Sequence, residues 1–269
     1  MMVPFLAAAE EPLAAQTLTH IGGLAFTNTM LYGLITAFFV LFIFVYAARA
    51  SQLWPRSKFA FWFESVVELV MGLVDDIFGD RQKTKKHFPL LISLFVFILA
   101  CNLSGLLPGV GTFTVDVSGS EVSVLRAWTT DLNSTLALAI LVITTVQVYA
   151  IKELGIGGHI KHYFSNIKNP INLFIGVNEV FGELLRLVTL SLRLFGVIYG
   201  GEALLHAIAQ LAGNFAWAAT LPIMFLEIFF SIVQAYLFMM LTATYLSMAT
   251  RHEDEVGATI ETASAKAGH

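Results

Sequence analysis

Arg193 stands in Leu190-Ser-Leu-Arg-Leu-Phe-Gly196, with apolar neighbours on both sides. Arginine stays protonated in proteins, and a cation at the centre of a membrane helix costs about 2.5–3.5 kcal/mol on insertion scales. Such a charge is expected to be buried at membrane depth and to need either a partner or an aqueous cavity. An interhelical salt bridge that merely holds a bundle together is the competing role, but intramembrane ionisable groups default to function. Arg193 and Gln234 are equally distant in sequence from the Gly213-Asn214 turn, so an antiparallel hairpin puts them at one depth. There Gln234 can hold the guanidinium by a hydrogen bond without neutralising it. Glu202 and Glu227 are also nearly equidistant from that turn, closer to its closed end. Two carboxyls at similar depth titrate as a coupled pair, which suits a relay that takes up and releases protons. The alternative is a protonated Glu hydrogen-bonded to its neighbour for packing.

A second acidic group lies on the other side of the arginine. Glu179, Glu183 and Arg186 occupy i, i+4 and i+7 and share a helix face that Arg193 continues. Glu202 points about 180° away from Arg193 on the same helix. Two polar regions therefore flank one arginine, one opening outward and one inward; a solvated helix end is the other reading of the inner group. On the following tract Glu227, Ser231 and Gln234 form a stripe at i, i+4 and i+7, extended by Tyr245. Asn102, and Asp131 with Asn133, are candidates to line the outer cavity, although capping or helix–helix hydrogen bonding is the commoner role of such residues. His206, one turn beyond Glu202, is a further candidate for the outer path against the commoner role of a satisfied bundle histidine. His159 and His162 sit in a Gly-rich stretch read as a loop with no metal role. Gly196, Gly200 and Gly201 remove side chains from a helix face and allow a close neighbour.

The elements that hold these residues are legible from composition. Of 269 residues 57% are hydrophobic and 13% charged, against about 25% charged in a soluble domain. Asp, Glu, Lys and Arg are missing from Pro12 to Ala48, Phe88 to Val115, Leu132 to Ile151, Ala203 to Leu226 and Ile228 to Thr250, and ~20 apolar residues span a bilayer core. The reading is an all-α integral membrane protein and a single membrane domain: an N-terminal outer segment over 1–27, a first span over 28–49, second and third spans within 88–152, and a long hairpin over 171–250. A tail over 251–269 follows. Pro108-Gly109 ends the second span, and Asp131 caps the third. Over 59–78, Phe63, Val66, Val67, Val70, Leu73, Val74 and Ile77 recur at helical spacing with Glu64, Glu68 and Asp75 between them, which predicts an amphipathic helix on the membrane surface or against a partner. Each arm of the hairpin is too long for an upright span: about 40 helical residues reach ~60 Å against a ~30 Å hydrocarbon core, so the arms tilt strongly.

Five crossings and one surface helix put Arg49, Arg56, Lys58, Arg81, Lys83, Lys85, Lys86, Lys152, Lys161, Lys168 and Arg251 on one side and only Arg126 in an outer loop. The positive-inside rule then places the N-terminus outside and the C-terminus in the cytoplasm. The single Cys101 excludes a disulfide framework or an iron–sulfur site. Hydrolase and zinc-protease motifs are missing, and no basic stripe suggests nucleic acid. No metal or other cofactor is expected.

With these residues placed, the chain resembles subunit a of the F-type ATP synthase over nearly its whole length. The resemblance rests on Ser191-Leu-Arg-Leu-Phe-Gly196, Gly201-Glu202, Gln234-Ala-Tyr-Leu-Phe-Met239 and Thr244-Tyr-Leu-Ser-Met-Ala249, with Asn102-Leu-Ser-Gly-Leu-Leu-Pro108 and Asp131-Leu-Asn133 in support. It implies a non-catalytic proton-channel subunit in a bacterial plasma membrane, with a ring of c subunits, peripheral-stalk b subunits and the rest of the complex as partners. It implies Arg193 as the stator arginine, Gln234 as its partner, and Glu202 with Glu227 as the outer half-channel, with Asn102 near it. Glu179 is implied at the inner exit. Val197 departs from the family, which often has Asn there. The rival reading is a proton-coupled secondary transporter in which Arg193 binds an anionic solute.

Overall fold

The computed structural model describes residues 15–21, 24–50, 58–107, 110, 114–117, 120–163 and 170–267. Pro108-Gly109 and Arg56 lie outside them. So do residues 1–14 of the N-terminal segment and the side chains of Lys58, His159, Lys161, His162, Glu179 and the tail; Lys168 is outside entirely.

Six helices run in chain order: α1 (Asn28–Ala50), α2 (Lys58–Phe78), α3 (Arg81–Gly105), α4 (Leu132–Tyr163), α5 (Pro170–Ala212) and α6 (Ala216–Ala267). Two small antiparallel hairpins precede them or interrupt them, β1 (Thr17–Ile21) with β2 (Leu24–Thr27), and β3 (Thr114–Val117) with β4 (Ser120–Ser123). Long apolar stretches occupy 28–49, 81–105, 132–152 and 176–248. The last of these is a hairpin folded at the 3-10 turn Gly213–Phe215, where Gly213 adopts φ 52°, a backbone region that favours glycine.

Local chemistry explains the ends. Gly79 at φ 67° reverses the chain between α2 and α3, and Asp80 caps α3 by accepting from Gln82 N at 2.9 Å. The second span accordingly begins at Arg81, seven residues before Phe88, because a cap and the helix-forming Lys and Gln residues extend it into the basic segment. Asp131 Oδ1 accepts from Asn133 N at 3.1 Å at the head of α4, as expected. One expectation needs correction. The stretch after Gly155, read as a loop, is helical through Tyr163; Gly155 at φ 74° breaks the helix and a second piece resumes beyond it. The tail after Thr250 continues α6 to Ala267. The loop over 109–130 contains β3, β4 and a 3-10 turn at Trp128–Thr130.

The amphipathic helix forms as α2, but its apolar stripe is covered by this chain's own helices. Val70, Val74 and Phe78 are buried in the common core with α3 and α6, and Ser247 Oγ of α6 donates to Ile77 O at 3.4 Å. The rest of that core is Leu91, Phe95 and Ile98 of α3, Leu138, Val142 and Val146 of α4, Leu190 and Leu194 of α5, and Phe238, Met239 and Leu246 of α6. Ala139, Ala235 and Ala243 are fully buried among them, since small residues let helices approach where the surroundings are as apolar as the interface. The exterior is correspondingly greasy: Phe38, Phe42, Leu211 and Phe225 are all more than 60% exposed.

The outer end is held by polar contacts. Asn28 Nδ2 donates to Ser123 O at 2.8 Å, and Asp131 Oδ2 accepts from Thr29 Oγ1 at 3.4 Å and from Ser134 Oγ at 3.3 Å. Trp128 lies so close to Gly33 of α1 that a Cβ there would collide with the indole. Gly33→Ala is therefore expected to cost about 1–3 kcal/mol through overpacking, whereas Gly72→Ala in α2, where an added Cβ meets nothing within 4 Å, serves as the control. Thermal unfolding of the purified protein in detergent checks this; equal melting of the two variants would contradict it.

Candidate functional site

Asn102, Glu202, His206 and Glu227 come together around one cavity near the closed end of the α5–α6 hairpin. Its other walls are Gly105, Leu106 and Leu107 at the end of α3, Ala127 and Thr130 of the outer connection, and Ile198, Leu205 and Met224. The space available to water is about 70 Å³, enough for a few molecules at ≳10–15 Å³ each. Asn102 is 1% exposed, and neither amide atom has a hydrogen-bond partner among the described residues. Glu227 Oε2 is in the same position. Buried polar atoms in a roomy polar cavity are groups that water can satisfy.

The hairpin register is the one the turn-counting implies. A Cβ on Gly201 would stand 3.0 Å from Glu227 Oε1, so Glu227 faces the turn of α5 that carries Glu202. From Glu227 a polar line runs inward along α6. Ser231 and Gln234 are buried, and Ser231 Oγ and Gln234 Nε2 lack hydrogen-bond partners among the described residues. The i, i+4, i+7 spacing has put three hydrogen-bonding groups on the buried face of one helix, from the cavity to the depth of Arg193.

Arg193 is at that depth but not on that face. Its side chain is exposed on the outside of α5, where the sequence reading expected it buried. Leu190, Ser191, Leu194 and Ile198 take the inward positions, and Ser191 Oγ and Thr135 Oγ1 of α4 are 3.2 Å apart. Residue 193 follows 191 by two positions, about 200° around the helix, and so points outward. Arg193 and Gln234 make no hydrogen bond to each other. Sequence distance from a turn fixes depth, while contact also needs azimuth. Around Arg193 the surface carries Leu185, Leu192, Gly196 and Gly200, and an added Cβ on either glycine would meet nothing. Gly201 belongs to the other face, against Glu227.

A smaller cavity lies on the far side of Arg193. Glu183 and Arg186 of α5, Tyr245 of α6 and Gln147 of α4 line it, together with Val142, Ile143, Val146 and Leu190. Its water space is about 20 Å³, room for one molecule. Arg186 Cζ sits 4.7 Å from the centroid of the Tyr245 ring. Glu183 thus lines this smaller cavity beside Arg186. Glu179 lies on α5 one turn further, its side chain outside the described set.

Two polar residues at the cavities were not singled out from the sequence. Gln147 reads in sequence as one polar residue in an apolar span; only the packing of α4 against α5 brings it to Glu183. Arg126, expected as a base in an outer loop, is the bulkiest fully buried side chain among the described residues at 1% exposure, and its Nε donates at 3.2 Å to Oγ1 of Thr130, which lines the outer cavity. The apolar setting Val124-Leu-Arg-Ala-Trp128 was the available signal.

The arrangement offers two water-sized cavities that share no lining residue, each bearing carboxylates, with a permanent cation between their levels facing outward. The sequence pattern of the ATP synthase A chain family matches residues 30–247. The chain is 32% identical over 226 residues to ATP synthase subunit a of Desulfotalea psychrophila, covering 83% of this chain and 84% of that one. It is 35% identical over 225 residues to ATP synthase subunit a of Acinetobacter baylyi, with 77% of each covered. The corresponding protein of Acinetobacter baumannii is 34% identical over 237 residues, 81% of this chain and 79% of that one.

Water access to the outer cavity is testable by thiol chemistry in a Cys101→Ala background. His206→Cys is expected to react with a small water-soluble thiol reagent, and Leu194→Cys, in the core at 0% exposure, is expected to resist it. Adding Gly201→Val should slow the reaction at 206 by crowding Glu227. Equal labelling at 194 and 206 would mean that no aqueous cavity exists there.

Proposed function

The chain belongs to the ATP synthase A chain family, and from that premise we propose how its geometry moves protons. It acts as the membrane stator of a rotary ATP synthase and performs no ATP chemistry itself. The supporting observation is Arg193: an outward-facing guanidinium at the depth that separates two cavities, with open glycine surface beside it. A cation facing hydrocarbon costs about 2.5–3.5 kcal/mol or more. A ring of c subunits presenting one carboxylate to it removes that cost.

Protons reach the ring through the outer cavity by Glu202, Glu227, Asn102 and His206, with Ser231 and Gln234 continuing the hydrogen-bonding line inward. A protonated rotor carboxyl is neutral and can travel through lipid; an ionised one is held at Arg193. After nearly a full turn the carboxyl meets the inner cavity and releases its proton by way of Glu183 and Glu179. Arg193 repels a proton that would hop directly between the cavities. Each charge crossing 100 mV yields ~2.3 kcal/mol, and successive steps sum to torque.

In this reading α1, α3, α4, α5 and α6 make the five crossings, α5 and α6 strongly tilted, with α2 at the cytoplasmic surface. The N-terminus is outside, the C-terminus is cytoplasmic, the membrane is a bacterial plasma membrane, and b subunits of the peripheral stalk flank the chain. The carrier reading finds no support, because Arg193 lines neither cavity and cannot hold a solute inside the chain.

Arg193→Lys keeps the charge and loses the planar fork. It is expected to abolish proton-driven ATP synthesis in membranes while ATP hydrolysis by the detached catalytic head continues. Wild-type synthesis by this variant would refute the stator role. Glu202→Gln is expected to slow passive proton flux through the membrane sector roughly a hundredfold, the lower end of what a positioned proton-transfer group contributes; unchanged flux removes Glu202 from the path.

A further inference from the structure

The outer cavity and the exposed face that carries Arg193 lie on different sides of α5, and neither Ser231 nor Gln234 joins them. Both are buried on the inward face of α6, and the outward side chains around them, Ile228, Phe229, Phe230 and Ile232, are apolar. On α5 the residues between Arg193 and Glu202 read Leu-Phe-Gly-Val-Ile-Tyr-Gly-Gly, so Tyr199 holds the one hydrogen-bonding side chain between those two levels. It also stands at the border between the two sides. Tyr199 is half-buried and falls about 60° around the helix from Glu202 on the cavity side and about 60° from exposed Gly196 on the other.

The ring is aimed along the gap. It stacks on Phe195, one turn earlier, with centroids 5.1 Å apart and planes at 10°, so the side chain lies back toward the start of α5, as long helical side chains do. That direction leads from the level of Glu202 to the level of Arg193. Helical rise sets Tyr199 about 4.5 Å inward of Glu202 and leaves about 9 Å to Arg193, an interval that the ring partly spans. The surface beside it is open, since an added Cβ on Gly196 or Gly200 would meet nothing within 4 Å. We propose that the Tyr199 hydroxyl is the last proton relay of the outer half-channel, carrying protons from the cavity beside Glu202 to a rotor carboxylate at the exposed face of α5. This rests on the stator reading of Arg193. The phenol O–H gives its proton to the rotor carboxylate as its oxygen takes one from a hydronium ion of the cavity, leaving water. One O–H bond breaks and one forms, and no tyrosinate arises, an ion that apolar surroundings disfavour.

The test uses the complete ATP synthase in inverted membrane vesicles, with ATP-driven proton pumping as the readout and subunit assembly checked by immunoblot. Tyr199→Phe removes the hydroxyl and keeps the ring that stacks on Phe195. It is expected to reduce pumping about tenfold or more, because a positioned proton-transfer group contributes roughly 10²–10⁴-fold. Tyr199→Leu removes ring and hydroxyl together and should match Tyr199→Phe within about twofold. Tyr199→His returns a ring that can take up and release a proton near neutral pH, and should pump at least about threefold faster than Tyr199→Phe. A packing role predicts the reverse order, with Phe close to wild type and Leu and His both slow. If the Leu variant does not assemble, Phe, which matches Tyr in shape, and His decide the matter. Wild-type pumping by Tyr199→Phe, or a His variant no faster than the Phe variant, overturns the relay. Arg193→Lys separates the two levels: if it pumps normally, the stator reading fails and the relay with it. If it is inactive while Tyr199→Phe pumps like wild type, only the relay falls.

Discussion

A guanidinium cannot shed its charge by losing a proton under ordinary conditions, so its place in an apolar environment constrains everything around it. In this chain the constraint is met by leaving Arg193 on the outside of α5 and at the depth between two cavities, away from either one. A counter-charge within the chain would neutralise it permanently, and exposure to water would remove its field. On the outside of α5 Arg193 lines neither of the two cavities.

The other buried polar groups follow from the same shortage of water. Buried polar atoms without partners cost about 1–3 kcal/mol each, yet Asn102, Glu227, Ser231 and Gln234 all present such atoms inside the bundle. They are tolerable because they are gathered along one wall, beginning at a cavity large enough for water. Scattered over several helices, the same residues would each have required a separate solution. Glu227, Ser231 and Gln234 share the inward face of α6, and Asn102 of α3 joins Glu227 in lining the cavity.

Cavities of this kind persist only between rigid walls. The outer wall is fixed by Asn28 bonded to Ser123 and by Thr29 and Ser134 bonded to Asp131, with Trp128 packed edge-on to Phe97 at a 5.5 Å centroid distance. The inner wall depends on close helix approach at Ala139, Ala235 and Ala243, which are fully buried. Since the hydrophobic effect gives little drive for helix association in lipid, such close packing is what holds the bundle together.

Much of this was written in the sequence. Charge-free stretches gave the helices, because hydropathy is a property of composition. The Gly213-Asn214 turn gave the depths of Glu202, Glu227, Arg193 and Gln234, because helical rise is constant. Spacing alone put Glu227, Ser231 and Gln234 on one face. What spacing could not supply was the absolute rotation of each helix, which is fixed by its neighbours: that rotation turned Arg193 outward and away from Gln234, and Gly201 inward to Glu227. Nor could it reveal contacts made between helices distant in sequence, such as Gln147 beside Glu183 and Arg186, or the enclosure of Arg126. Local periodicity determines which residues share a face; only packing in three dimensions determines what that face meets.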